Sequence, residues 1–276
     1  MKHQYLDLKT VVASGLICLL TLPGLAQAET TQASLKTVIE GEHRSADNKA
    51  RDQYRHPAET LTWLGLQADM TVVEIFPGGG WYAEILAPYL NAEGQYYAAG
   101  FDPDSKVGFF RQAAKRLNDK FAAAPELYGK AKTTVLAPPG KTEIAPSGSA
   151  DMVLTFRNVH NWMNAGTDAA VFKAMFEALK PGGVLGLVEH RGNPETKQDP
   201  KASSGYVNQA YTIQLAEQAG FKFVASSEIN ANPKDGKNHP KGVWTLPPTL
   251  RLKDQDREKY LAVGESDRMT LKFIKP

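Results

Sequence analysis

The chain has 276 residues, 42% of them hydrophobic, which suits one large globular domain with a sizeable core. Its 32 Lys and Arg nearly balance 30 Asp and Glu, for a formal net charge of +2. That balance offers no electrostatic basis for binding nucleic acid or an anionic membrane surface.

The N-terminus reads as a secretory signal. Lys2 and Lys9 form a basic start, residues 10–25 form an apolar run, and Ala26-Gln27-Ala28 supplies small residues for cleavage. The apolar run is short for a membrane span of about 20 residues. Cys18 lies in it without a lipobox, so no lipid anchor is expected. Cleavage after Ala28 removes the single cysteine and leaves no disulfide, thiolate nucleophile or cysteine metal ligand. The expected organisation is a signal peptide at 1–28, an N-terminal arm at 29–56 and one domain at 57–276. The expected location is outside the cytoplasm, in the periplasm, with no membrane anchor after cleavage.

Residues 57–67 are predicted to be helical, with Leu61, Leu64 and Leu66 apolar. Residues 71–76 (TVVEIF) are a short, β-branched, nearly continuous apolar run, as expected of a buried parallel strand. Pro77-Gly78-Gly79-Gly80 follows, then an apolar helix at 81–90. A second strand is expected at 95–101, ending at Asp102-Pro103-Asp104, then a helix at 106–121. Weaker strand character returns at 133–136, before Pro138-Pro139. A fourth strand is expected at 151–156, a helix at 169–179, a turn at Pro181-Gly182-Gly183 and a fifth strand at 184–188. A helix at 207–219 and a strand at 221–226 follow. Residues 230–257 read as loop, and 268–274 as a last alternating strand. Strands separated by helices imply a doubly wound, Rossmann-like α/β fold, with a seven-stranded, mostly parallel sheet and an antiparallel C-terminal strand.

Glycines between a strand and a helix let backbone N–H groups approach a ligand, and the helix N-terminus adds partial positive charge. Asp102, 24 residues after Gly78, stands where an acidic residue can accept hydrogen bonds from ribose hydroxyls. The sequence Gly78-Gly79-Gly80-Trp81-Tyr82-Ala83 also matches G-x-G-x-x-A, which keeps an NAD-dependent oxidoreductase open.

Glu74-x-Phe76-x-Gly78-x-Gly80 resembles the first motif of class I S-adenosylmethionine (SAM)-dependent methyltransferases, with Phe76 in place of the first glycine. Ala150-Asp151-Met152-Val153-Leu154 is similar to that family's entry into the fourth strand. Leu179-Lys180-Pro181-Gly182-Gly183-Val184-Leu185 is similar to its helix-to-fifth-strand turn. Tyr54-Arg55-His56-Pro57-Ala58-Glu59-Thr60 and Pro77-Gly78-Gly79-Gly80-Trp81-Tyr82 resemble a group of exported bacterial methyltransferases. The resemblance runs from about residue 57 to 276. It implies SAM as cofactor and methyl transfer to a small-molecule acceptor. Glu74, Phe76, Gly78, Gly79 and Gly80 would then surround the amino-acid half of SAM, with Asn158 nearby and Asp102 on the ribose. A non-catalytic ligand- or protein-binding module is the alternative, favoured by Phe76 and by the bare Ala137-Pro138-Pro139 after the third strand.

In open α/β sheets, ligands sit beyond the C-terminal strand ends. Those ends carry Arg157-Asn158-Val159-His160-Asn161-Trp162 and Glu189-His190-Arg191, two segments expected to lie close together. His160 is the first candidate base and His190 the second, because histidine suits deprotonation of an O–H or N–H nucleophile. His160, Glu189 and His190 have zinc or iron ligand types, but their spacing matches no local metal motif, and no metal is assigned. Residues 51–56 could fold over the site as a lid, and residues 234–241 could form its rim.

Overall fold

The strand Thr71–Ile75 (β1) is buried on both faces, and the rest of the molecule is arranged around it. The coordinates are a computed structural model that describes Met1 and residues 35–276. The expected signal peptide lies outside the described residues. Among those residues, no helix is long and apolar enough to cross a membrane.

Six further strands follow: Gln95–Gly100 (β2), Lys132–Val135 (β3), Ala150–Phe156 (β4), Leu179–His190 (β5), Lys222–Ser227 (β6) and Arg268–Ile274 (β7). They form one seven-stranded sheet in the order β3-β2-β1-β4-β5-β7-β6. Pairings from β3 through β5 are parallel, while β7 runs antiparallel to both β5 and β6. The fold is therefore the expected Rossmann-like α/β sheet.

Side-chain alternation along β1 sends its apolar residues to two cores. Val73 and Ile75 join Val153, Leu185 and Leu187 on one face, beneath Val159–Ala165 (α7), Asp168–Ala178 (α8) and Gln209–Gln218 (α9). Val72 joins Met152 and Leu154 on the other, beneath Pro57–Leu64 (α3), Ala83–Leu90 (α4) and Gly108–Ala123 (α5).

The N-terminal arm is built into the second core. Residues 35–40 are helical and bury Leu35 and Ile39 there. Two single-turn helices, Ala46–Lys49 (α1) and Asp52–Arg55 (α2), carry the chain across the C-terminal edge of the sheet. Arg44 anchors this crossing with a bidentate pair to Asp52 at 2.7 and 2.8 Å. Trp81 Nε1 donates to Asn48 O at 3.1 Å from below.

The Pro181-Gly182-Gly183 segment is not a free turn. Ala150 pairs with Leu179 and Met152 with Val184, so the intervening residues form a bulge inside β5. Gly182, at φ 78°, donates its N–H to Lys275 O at 2.7 Å. Beyond the bulge β5 continues two residues past the expected end, which carries Glu189 and His190 to the site. The expected loop at 230–257 contains a 3-10 turn, Gly242–Thr245, and is followed by the helix Arg257–Val263 (α10). A short helix, Pro125–Tyr128 (α6), lies between α5 and β3.

Candidate functional site

The chain reverses its direction of travel across the sheet between β1 and β4, and the crevice at their C-terminal ends is where such folds bind ligands. A cavity of about 290 Å³ opens there. Glu74, Phe76, Gly78 and Gly79 line it from β1 and the loop after it, Phe156, Arg157 and Asn158 from the end of β4 and the residues after it, and Asn48, Arg51 and Arg55 from the arm.

The glycine loop leaves room for a ligand. A Cβ on Gly78 or Gly79 meets no atom within 4 Å, so packing does not require glycine at either position. Gly78 sits at φ 62°, in the left-handed region. Phe76 also takes a left-handed backbone, φ 47°. Phenylalanine thus keeps the conformation that glycine allows freely, at a cost of about 1–2 kcal/mol. Its ring stacks on Phe101, centroids 4.5 Å apart, and Phe101 stacks in turn on Phe110 at 4.6 Å.

Glu74 is nearly inaccessible and accepts a hydrogen bond from Tyr96 Oη at 2.6 Å. Burial pushes its carboxyl up to about 7, against the opposing pull of Tyr96, Arg157 and Arg55. Asn158 donates to Ile75 O at 2.9 Å and to Thr155 Oγ1 at 3.2 Å. Its side chain therefore ties the ends of β1 and β4 together. Asp102 does not line the cavity. β2 ends at Gly100, Phe101 fills the place beside the loop, and Lys141 Nζ holds the Asp102 carboxylate at 2.8 Å near the surface.

Arg51, Arg55 and Arg157 are shared with a second cavity of about 270 Å³. His160, His190, Trp244 and Arg268 also line it, with Glu265 and Ser266. The two predicted histidines thus meet. His160 belongs to α7 and His190 ends β5, and their ring centroids are 5.4 Å apart.

Glu189 organises this end of the site. Its buried carboxylate receives His160 Nδ1 at 3.0 Å, the His160 backbone N–H at 3.3 Å and the His190 backbone N–H at 2.7 Å. A carboxylate that accepts from all three fixes the proton of His160 on Nδ1 and leaves Nε2 as the basic atom. His190 Nδ1 lies against Ser266 Oγ. Burial, then His160 and the guanidinium groups of Arg268, Arg157 and Arg55, hold His190 well below its usual range, so it is neutral at pH 7.

The cationic groups were the least visible part of the site in the sequence. Arg51 donates to Glu265 at 2.6 Å, Arg268 donates to the same carboxylate, and Arg55 Nε lies 3.6 Å from it. Burial works to raise the Glu265 carboxyl, but Arg268, Arg51 and Arg55 outweigh it and hold it at about 2. The Arg157 side chain forms no hydrogen bond or ion pair among the described residues. Burial, and then Arg268, lower its guanidinium to about 10. Arg157 itself sits at φ 61°.

His160, Glu189 and His190 bring potential ligand atoms within 4.8 Å of one another. The set fits a dication poorly. Three N–H donors already engage the one carboxylate, and the guanidinium groups of Arg157 and Arg268 line the same cavity.

The sequence matches no protein-family model and no curated protein. Solved structures do match. A SAM-dependent methyltransferase from Aquifex aeolicus aligns with TM-score 0.53 at 14% identity, over 89% of this chain and 98% of that one. A candidate sarcosine dimethylglycine methyltransferase from Galdieria sulphuraria aligns with TM-score 0.54 at 13% identity, over 84% and 88%. The 4+2 cyclase SpnF aligns with TM-score 0.51 at 16% identity, over 91% and 96%. At these identities the likeness is one of architecture, and the chain has the Rossmann-like fold of class I SAM-dependent methyltransferases.

Proposed function

We propose that this chain is an exported SAM-dependent methyltransferase acting on a small-molecule acceptor. The observation that carries the proposal is the open glycine cradle beside buried Glu74, joined through Arg157 to a second cavity that holds the His160–Glu189 pair. Export is supported by the basic start, apolar run and Ala26-Gln27-Ala28 of the sequence.

The residues present fit the amino-acid half of SAM. Gly78 and Gly79 leave space for close backbone approach. Glu74 can take the ammonium group, and Arg51 or Arg55, which also line this cavity, the carboxylate. When bound, SAM supplies an electrophilic methyl group on a sulfonium. The ribose end is less prepared, because the Phe76–Phe101 stack adjoins it and Asp102 is paired with Lys141. That pair is exposed on the lysine side and is screened by solvent, so it competes weakly for the carboxylate.

His160 Nε2 takes the proton from an acceptor O–H or N–H as the acceptor oxygen or nitrogen bonds to the methyl carbon. SAM would supply the methyl group, with its sulfur as the leaving atom that keeps the electron pair. Glu189 holds the imidazole in the required tautomer and stabilises the imidazolium that forms.

A second reading keeps the ligand and drops the transfer. It is supported by the aromatic stack at the ribose end and by the cyclase among proteins of this fold. Calorimetric titration with SAM, S-adenosylhomocysteine and NAD tests the first reading. SAM and S-adenosylhomocysteine are expected to bind and NAD to fail. No binding of either sulfur compound at millimolar concentration would sink methyl transfer.

A further inference from the structure

Among the described residues, the second cavity carries more positive than negative charge on its wall. Arg51, Arg55, Arg157 and Arg268 all line it, and Glu265 is the one acidic residue on its wall. Arg55 and Arg268 are 3% and 2% exposed, and the Nε atom of each has no hydrogen-bond partner. Arg157 has no side-chain partner among the described residues. Buried guanidinium groups whose donors are only partly satisfied are costly, and so are like charges held together out of water. Their planar donor forks match the oxygens of a carboxylate or phosphate.

The same cavity also has an apolar lining, Val243, Trp244, Pro247 and Pro248. Trp244 presents its ring beside His160, centroids 5.9 Å apart, with Pro247 next to it. Arg251 lies 4.8 Å from the Trp244 ring centroid. A guanidinium cluster and an indole lining one cavity suit a small, flat compound with a charged end.

We propose that this cavity selects a small organic anion, a carboxylate on a planar apolar body, with Arg157 as the principal anchor and Trp244 as the packing wall. The inference rests on the methyl-transfer reading only for calling this anion the acceptor. The cavity's preference for anions stands on its own residues.

One other carboxylate could use the same cations, namely that of the SAM amino-acid half, because Arg51, Arg55 and Arg157 also line the first cavity. The experiment separates the two sources. Benzoate and its neutral analogue benzamide are titrated into the purified protein by calorimetry, with and without saturating S-adenosylhomocysteine. Benzoate is expected to bind in both conditions, and benzamide about tenfold more weakly or worse, as expected for loss of a charge-assisted hydrogen bond. Arg157→Gln is expected to weaken benzoate by a similar factor, with Arg157→Lys in between. Thermal melting of each variant shows whether it is folded. Arg157 lines both cavities and is only partly buried, and its side chain holds no partner among the described residues, so a glutamine there is compatible with the fold.

Equal affinity for benzoate and benzamide would overturn the proposal, as would an unchanged affinity in a folded Arg157→Gln. Loss of benzoate binding on saturation with S-adenosylhomocysteine would assign the cations to the cofactor's carboxylate, and also overturn it. If benzoate binds with Arg157 dependence and neither SAM nor S-adenosylhomocysteine binds, the anion site stands and the methyl-transfer reading falls.

Discussion

Tyr96 Oη donates to Glu74 Oε2 at 2.6 Å from the neighbouring strand, yet the carboxyl is still pushed up to about 7. Burial therefore outweighs both this hydrogen bond and two nearby arginines. The sign of the consequence is fixed. A carboxyl raised in the folded state binds a proton that the unfolded chain has released between about pH 4.5 and 7. Stability from this group is complete below that window and is lost as pH rises through it, by about 2–4 kcal/mol. Glu74→Gln keeps the shape and an acceptor for Tyr96 without the charge. The variant is expected to match the parent near pH 4 and to exceed it near pH 8. Urea denaturation at several pH values tests this, and a pH-independent difference would contradict it. His190, whose basicity is lowered, acts in the opposite direction on acidification below its usual range. It contributes equally to parent and variant, so their difference isolates Glu74.

Phe76 holds a backbone conformation that suits glycine, φ 47°, while its ring stacks on Phe101. Two replacements separate these effects. Phe76→Ala loses the ring and keeps the left-handed cost. Phe76→Gly loses the ring and the cost together. The glycine variant is therefore expected to be more stable than the alanine variant by about 1 kcal/mol, the reverse of the usual order in strands and helices. Thermal or chemical denaturation of both decides it. If alanine proves more stable, the positive φ at residue 76 is not a feature of the folded protein.

Much of this frame was legible because β1 and β4 are apolar runs ended by residues that break a strand. Pro77 and Gly78 close β1, and Arg157 leaves β4 at a positive φ. The helix α7 was not legible. Asn158, Asn161 and Asn164 give it little helical propensity, and it is held by burial of Val159, Trp162 and Met163. The histidines could be named because each follows a strand. The cationic cavity could not, because Arg51 and Arg55 come from the arm, Arg157 from just past β4 and Arg268 from β7. Register sets His190 opposite Arg268 in the β5–β7 pair, and the arm brings Arg51 and Arg55 to the same cavity. Spacing placed Asp102 near a ribose, but the strand stops at Gly100 and Phe101 takes the position beside the loop.

Lys141 Nζ sits 2.8 Å from the Asp102 carboxylate. If Asp102 reaches ribose hydroxyls when SAM binds, it must leave this lysine. Lys141→Ala is then expected to leave SAM affinity equal or raise it, whereas Asp102→Ala lowers it about tenfold, the value of one charge-assisted hydrogen bond. Calorimetry on the two variants reads this directly. Undiminished binding by Asp102→Ala would remove that residue from the site and leave the lysine pair as a surface contact.

Leu64, the last residue of α3, packs directly over Gly186 in the middle of β5. A Cβ added at Gly186 would lie 2.6 Å from Leu64 Cδ1 and 2.7 Å from Leu154 Cδ2. Both leucines are fully buried, so neither tip has solvent to move into. Gly186→Ala is expected to destabilise by about 1–3 kcal/mol through overpacking. Leu64→Ala is expected to cost about 2–5 kcal/mol through lost burial and a cavity. The two changes share one volume, so the double variant should be less damaged than the sum, by at least about 0.5 kcal/mol. Contact with Leu154 remains in the double variant, which limits the rescue to part of the Gly186→Ala cost. Denaturant midpoints for the four proteins close the cycle. Strict additivity would mean that α3 does not rest on β5 at Gly186, and the arm that joins α3 would then lose its fixed position over the cleft.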